Sequence, residues 1–211
     1  MSSNTAVSSD IETVCEKAAK ALIDGKIIAY PTESSYAIGC RFDDQRGIEK
    51  IYQIKKRRHE LIFPLIIRDI ESLNMIVSNI NNIERKLMEE FWPGALTILL
   101  DANKLVPFSL KGKRNKIAVR MSGNMIAQRI SQFAGLPIIA TSANTTGQPP
   151  ALNIFEINKY FSNNIDIIVD GGKCKGGMPS TIVEVINEDI KIIREGAIQI
   201  DEIAIKGYRV I

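Results

Sequence analysis

The chain has 211 residues, 45% hydrophobic and 24% charged, with a formal net charge of +3. That composition excludes a wholly disordered chain and fits one soluble globular domain with a sizeable core. No apolar run approaches the roughly 20 residues that span a bilayer, and three scattered cysteines (Cys15, Cys40, Cys174) offer neither a disulfide framework nor a zinc site.

The start, MSSNTAVSSD, lacks the basic and apolar regions of a signal peptide, so a cytoplasmic location is expected. Residues 1–8 read as a disordered tail and residues 9–211 as a single domain. Ser9 and Glu12 have capping-box spacing, and Ile11, Val14, Cys15, Ala18 and Leu22 follow at helical spacing up to Gly25. KIIAY (26–30) reads as a buried strand. A second helix is predicted from about Asp44 to Lys56. PLIIR (64–68) is a strand, with helices around 69–77 and 82–91. ALTILL (95–100) and IAVRM (117–121) are strands on either side of a basic loop. A helix over 125–133 closes at Gly135, and PIIAT (137–141) and DIIVD (166–170) are strands with a short helix between them. IVEVI (182–186) and IKIIR (190–194) form a predicted hairpin across residues 187–189. Strands alternating with helices, plus one late hairpin, point to an α/β domain with a mixed, twisted sheet. The glycines between 171 and 177 read as a flexible loop over a site.

Charge is unevenly placed. Between Asp101 and Glu156 there is no acidic residue, while Lys104, Lys111, Lys113, Arg114, Lys116, Arg120 and Arg129 all fall there. An anionic ligand or a solvated basic loop would each account for this. Two strands end in polar loops, Pro31–Ser35 and Ser142–Gly147. Loops at the carboxyl ends of strands collect ligands in open α/β sheets, although Ser, Thr, Asn and Gly also simply make turns. The run Lys55–His59 is either a phosphate clamp or a solvated helix end. On the clamp reading, loss of Lys55 or Arg57 should cut turnover with little loss of fold, and Lys56, about 100° around the helix, should matter less. The lone histidine, His59, lies in this run, which argues against Ser-His or Cys-His catalysis. The P-loop and dinucleotide fingerprints are absent.

Seven blocks carry a resemblance: PTESSYAIGC (31–40), IKKR (54–57), FWPGALTILL (91–100), IAVRM (117–121), PIIATSANTTGQPPA (137–151), PSTIVEV (179–185) and IIREGAI (192–198). In content and order they resemble the YrdC family of threonylcarbamoyl-adenylate synthases, in its short, single-domain form. The resemblance implies a YrdC-like twisted mixed sheet with surrounding helices and a large, positively charged cavity. It implies a nucleotidyltransferase that joins L-threonine, bicarbonate and ATP into threonylcarbamoyl-AMP and pyrophosphate. Mg²⁺ would be held mainly by the ATP phosphates, and the product would pass to tRNA threonylcarbamoyl transferase proteins. By position, Lys55, Arg57, Ser142 and Asn144 are the implied catalytic set around the phosphates, with Thr141 and Arg194 as further ATP contacts. Thr32, Arg120 and Ser180 are implied near threonine, and Gly196 would permit close backbone approach. Ala37, Arg58, Phe63, Arg68 and Ser122 depart from the family's usual residues. The alternatives are a YrdC-like protein that binds double-stranded RNA and a paralogue with another substrate.

Overall fold

The protein is described by a computed structural model over residues 3–59 and 61–211, the side chains of 3–9 and Asn163 excepted. The expected tail falls partly on Met1 and Ser2, which lie outside the described residues. Helix α1 (Ser3–Ile23) begins ahead of the Ser9–Glu12 capping box. In chain order there follow β1 (Ile28–Pro31), β2 (Tyr36–Gly39), α2 (Gln45–Lys55), β3 (Leu65–Ile66), α3 (Asn82–Phe91), β4 (Leu96–Asp101) and β5 (Lys116–Arg120). Then come α4 (Met125–Ala134), β6 (Ile138–Ile139), β7 (Thr141–Ser142), α5 (Ile154–Phe161), β8 (Ile167–Ile168), β9 (Thr181–Ile186), β10 (Asp189–Arg194) and α6 (Ile200–Ile205).

The strands form two mixed sheets rather than the single one expected. One has the order β7-β2-β1-β8 and the other β10-β9-β4-β5-β3-β6. The difference arises at two places. After the polar loop Pro31–Ser35, residues Tyr36–Gly39, to which no element was assigned, return as β2 antiparallel to β1. PIIAT, read as one strand, is divided at Ala140: β6 pairs with β3 in the larger sheet and β7 pairs with β2 in the smaller. The chain thereby steps from one sheet to the other. Gly39 makes the step possible, because a Cβ there would collide with the carbonyl of Ile139.

Local chemistry explains the helix ends. Asp44 caps α2 by accepting from the Arg46 amide. Asn81 and Glu84 form a reciprocal capping box on α3. Asn124 accepts from the amides of Ile126 and Ala127, and Gly135, at φ +66°, closes α4 where the sequence placed its end. The expected helix over 69–77 is a 3₁₀ segment, Ile70–Met75. Cys15, Ala18, Ala19 and Leu22 form the buried stripe of α1, which packs on Ala127, Ile130 and Ala134 of α4 and covers Ile28 and Tyr30 of the smaller sheet. A second core lies around Ile38, Ile51, Leu65, Ile98, Val119 and Val183. The three cysteines are buried and free.

Candidate active site

A cavity of about 980 Å³ is walled by residues of both sheets. Thr32, Ala37, Thr141 and Ser142 come from the smaller sheet and its loops. Arg120, Ser180, Ile182, Glu184 and Arg194 come from the larger sheet and its approaches. Arg57, just past α2, completes the wall. The sheet step at Ala140 therefore creates the site, because it carries Thr141 and Ser142 away from β6 toward the opposite wall.

Of the residues implied by the resemblance, Thr32, Arg57, Arg120, Thr141, Ser142, Ser180 and Arg194 line the cavity. Lys55 and Asn144 do not. Lys55 is 2% exposed. Its Nζ donates to the Ser142 carbonyl, to the Asn144 carbonyl at 2.8 Å and to Asn144 Oδ1 at 3.3 Å. Its own carbonyl accepts from the Thr146 amide and Thr146 Oγ1, both at 2.9 Å. Ser142 Oγ donates to Asn144 Oδ1 at 2.6 Å. These bonds join the IKKR and SAN blocks into one unit. Burial, then the charge of Arg57, pulls the Lys55 ammonium down to about 7. Three oxygen acceptors oppose that pull. Lys55 is thus an internal staple, which corrects the expectation that its loss would leave the fold nearly untouched.

The helical-wheel argument for Lys55–Arg57 is also corrected, since α2 ends at Lys55 and the chain turns at Lys56, with φ 50° and ψ 42°. That left-handed conformation is unfavourable for a residue with a Cβ. Lys56→Gly is expected to stabilise the protein by about 0.4–1 kcal/mol, measured by urea unfolding. An equal or lower midpoint would contradict this account of the turn.

Past the turn, Arg57 donates from Nε to the Leu61 carbonyl at 3.0 Å and from a terminal nitrogen to the Ile62 carbonyl at 3.2 Å. Its guanidinium stands 5.3 Å from the Phe63 ring centre, and Phe63 stacks on Tyr52, which stacks on His59. Phe63, a departure from the family pattern, is therefore the platform under Arg57. Arg68, another departure, pairs with neighbouring Asp69 and does not line the cavity.

Arg194 donates to the Ser180 carbonyl at 2.7 and 3.2 Å. Ser180 Oγ lies 2.8 Å from Thr97 Oγ1. A Cβ at Gly196 would collide with the Pro179 carbonyl, so the close backbone approach implied for this glycine is present. Burial, then Arg120, then Arg57 lower the tendency of Arg194 to hold its proton. With Arg114, which pairs with Glu184, four guanidiniums thus line one cavity. Such a cluster is stabilised by an anion more than by water. Thr32 Oγ1 donates to the Ser35 carbonyl at 2.7 Å, which shapes the loop between β1 and β2. Tyr36 Oη accepts from the Gly171 amide at 3.0 Å and donates to the Gly172 carbonyl at 2.8 Å, anchoring the glycine-rich segment whose Gly176 and Gly177 border the cavity.

Two acids escaped the sequence reading. Glu33 holds Arg120, Ser122 and Gly123. Glu184, on β9, lines the cavity with its side chain 4% exposed and pairs with Arg114 at 2.9 Å. A lone carboxylate inside the apolar run IVEVI was a usable signal, because buried acids are almost always paired. Glu33 gave no comparable signal, since an acid in a turn is ordinary.

The family model for Sua5, YciO and YrdC, described as "Telomere recombination", matches residues 20–196. A protein of Wigglesworthia glossinidia brevipalpis named threonylcarbamoyl-AMP synthase is 37% identical over 182 residues, 85% of this chain and 92% of that protein. One of the same name from Pyrococcus abyssi is 30% identical over 180 residues, 85% of this chain but 53% of its own length. This chain thus spans about half of the Pyrococcus protein. The crystal structure of P. abyssi Sua5 complexed with L-threonine superposes with a TM-score of 0.88 at 29% identity, over 95% of this chain and 59% of that one. Over most of its length, in sequence and in fold, this chain belongs to the Sua5/YciO/YrdC family.

Proposed function

We propose that the protein is an L-threonylcarbamoyladenylate synthase, a nucleotidyltransferase. The observation that carries this is the convergence of Arg57, Arg120 and Arg194 with the Thr141–Ser142 segment on one cavity. Supporting it, relatives of similar length are named threonylcarbamoyl-AMP synthase, and the P. abyssi Sua5 structure holds L-threonine.

The threonine amine attacks bicarbonate carbon, water leaves, and a carbamate forms. A carbamate oxygen then attacks the α-phosphorus of ATP, and the bond to pyrophosphate breaks. No group passes to the protein, so no activated nucleophile is needed. The work is positioning, charge neutralisation and shielding of a short-lived carbamate. In this reading Arg57, Arg194, Thr141 and Ser142 meet the nucleotide, with Asn144 and Lys55 fixing the loop that presents them. Thr32, Arg120 and Ser180 meet threonine, with Arg120 on its carboxylate. Among the described residues no group of three or more potential metal ligands comes together. A Mg²⁺ ion would therefore arrive on the ATP phosphates, neutralising their charge. The product would be passed to a tRNA threonylcarbamoyl transferase.

Among the described residues no helix is long and apolar enough to cross a membrane, and a cytoplasmic location is part of the same proposal. The test is pyrophosphate release with ATP, threonine and bicarbonate, each omitted in turn. Release is expected only with all three present. Turnover that ignores threonine or bicarbonate overturns the reading, and a different preferred amino acid would identify a paralogue with another substrate.

A further inference from the structure

Glu33 sits in the loop between β1 and β2, outside the lining of the cavity. Its two oxygens are used differently. Oε1 accepts from Ser122 Oγ at 3.0 Å and from the Gly123 amide. Oε2 accepts from one terminal nitrogen of Arg120 at 3.0 Å. The first oxygen therefore anchors the carboxylate to the turn that follows β5, and the second holds a guanidinium at the end of β5. Arg120 is only 9% exposed, yet it lines the cavity. Among the described residues no acceptor takes its other two nitrogens. A guanidinium has five donors in a planar fork. With one corner fixed by Glu33, the remaining edge keeps a paired set of donors for a carboxylate or phosphate. Ser122 is fully buried and accepts from the Asn124 amide at 3.2 Å while it donates to Glu33. This departure from the family pattern is part of the same bracket.

We infer that Glu33 is a positioning residue, which fixes the Arg120 guanidinium so that its free edge receives the ligand carboxylate. It also offsets the charge of Arg120, one of seven Lys and Arg residues that line the cavity. The inference rests on the proposed function for the identity of that ligand, threonine.

The test is a double-mutant cycle read in threonine dependence. Glu33→Gln keeps the side-chain shape but removes the charge. It is expected to raise KM for threonine roughly 10- to 100-fold, the usual cost of losing a charge-assisted hydrogen bond, with KM for ATP changed less than about 2-fold. In an Arg120→Ala background, Glu33→Gln is expected to add almost nothing, because the two residues act as one unit. Glu33→Asp is expected to recover part of the affinity. Equal effects of Glu33→Gln in both backgrounds, or equal rises in KM for threonine and ATP, would overturn the inference, since a loop tether acts regardless of Arg120. Urea unfolding of the same four proteins keeps the two readings apart. If wild-type turnover ignores threonine, the proposed function falls. The Glu33–Arg120 coupling then stands or falls on whether the cycle is non-additive in unfolding free energy.

Discussion

Lys55→Ala is expected to lower the unfolding free energy by about 3 kcal/mol and turnover by roughly 100-fold, the largest combined effect of any single change in the site. Lys55 Nζ is the donor to two backbone carbonyls and the Asn144 side chain. Removing it leaves the Asn144 carbonyl without a partner, at about 1–3 kcal/mol, and takes a second donor from the Ser142 carbonyl and from Asn144 Oδ1, which keep the Asn144 amide and Ser142 Oγ. The same change releases the segment that presents Thr141 and Ser142, and a misplacement of about 1 Å in a positioning element can cost roughly 100-fold in rate. Lys55→Met separates the causes, since it fills similar space without donating. It should recover packing but neither the hydrogen bonds nor the rate. Urea unfolding, with the slope checked for constancy, gives the stability. Pyrophosphate release gives the rate. A midpoint within about 0.5 kcal/mol of wild type for Lys55→Ala would mean that the staple is not a net contributor, as buried charges sometimes are not.

That prediction reverses one made from sequence, and the reason is instructive. A basic run at a helix end looks the same in sequence whether its side chains point outward or inward. Here α2 buries Ile48, Ile51, Tyr52 and Lys55 together, a stripe of period 3–4 in which the lysine occupies the fourth position. The pattern was legible, but the acceptors that tolerate a buried ammonium lie nearly ninety residues away in the chain. Most helices were readable because their signals are local: the Asn81–Glu84 box and Gly135 mark ends by themselves. The strands that build the cavity were the hard part. β2 is the short segment Tyr36–Gly39, four residues that follow directly on the polar loop Pro31–Ser35 and show too little pattern to read as a strand. The break at Ala140 depends on which sheet each half joins, and that is a tertiary fact. The segments Lys55–Arg57 and Thr141–Asn144 were marked from the resemblance as one site, and the structure brings them together. Of the acids that pair with cavity arginines, Glu184 was marked by its place inside the apolar run IVEVI, whereas Glu33 became visible only in three dimensions.

Arg194→Ala is expected to separate function from stability. Turnover should fall roughly 100- to 1000-fold, the usual cost of losing a charge partner of the developing phosphate charge. Stability should shift by less than about 1 kcal/mol, because two effects oppose each other. The variant loses the bonds from Arg194 to the Ser180 carbonyl, which water can replace at this exposed position. It also relieves the repulsion that Arg194 feels from Arg120 and Arg57. A cluster of like charges kept without an anion is a cost carried for function. The ligand dependence follows from the same balance. Pyrophosphate should raise the melting temperature of wild type, since it binds only the folded cluster, and should raise that of Arg194→Ala much less. Arg194→Lys is the discriminating variant. It restores the charge but not the fork, and two bonds to one carbonyl need the fork, so turnover should remain at least about 10-fold below wild type. A loss of more than about 2 kcal/mol in Arg194→Ala, with an unchanged response to pyrophosphate, would make Arg194 a strut for the Ser180 turn rather than a phosphate ligand.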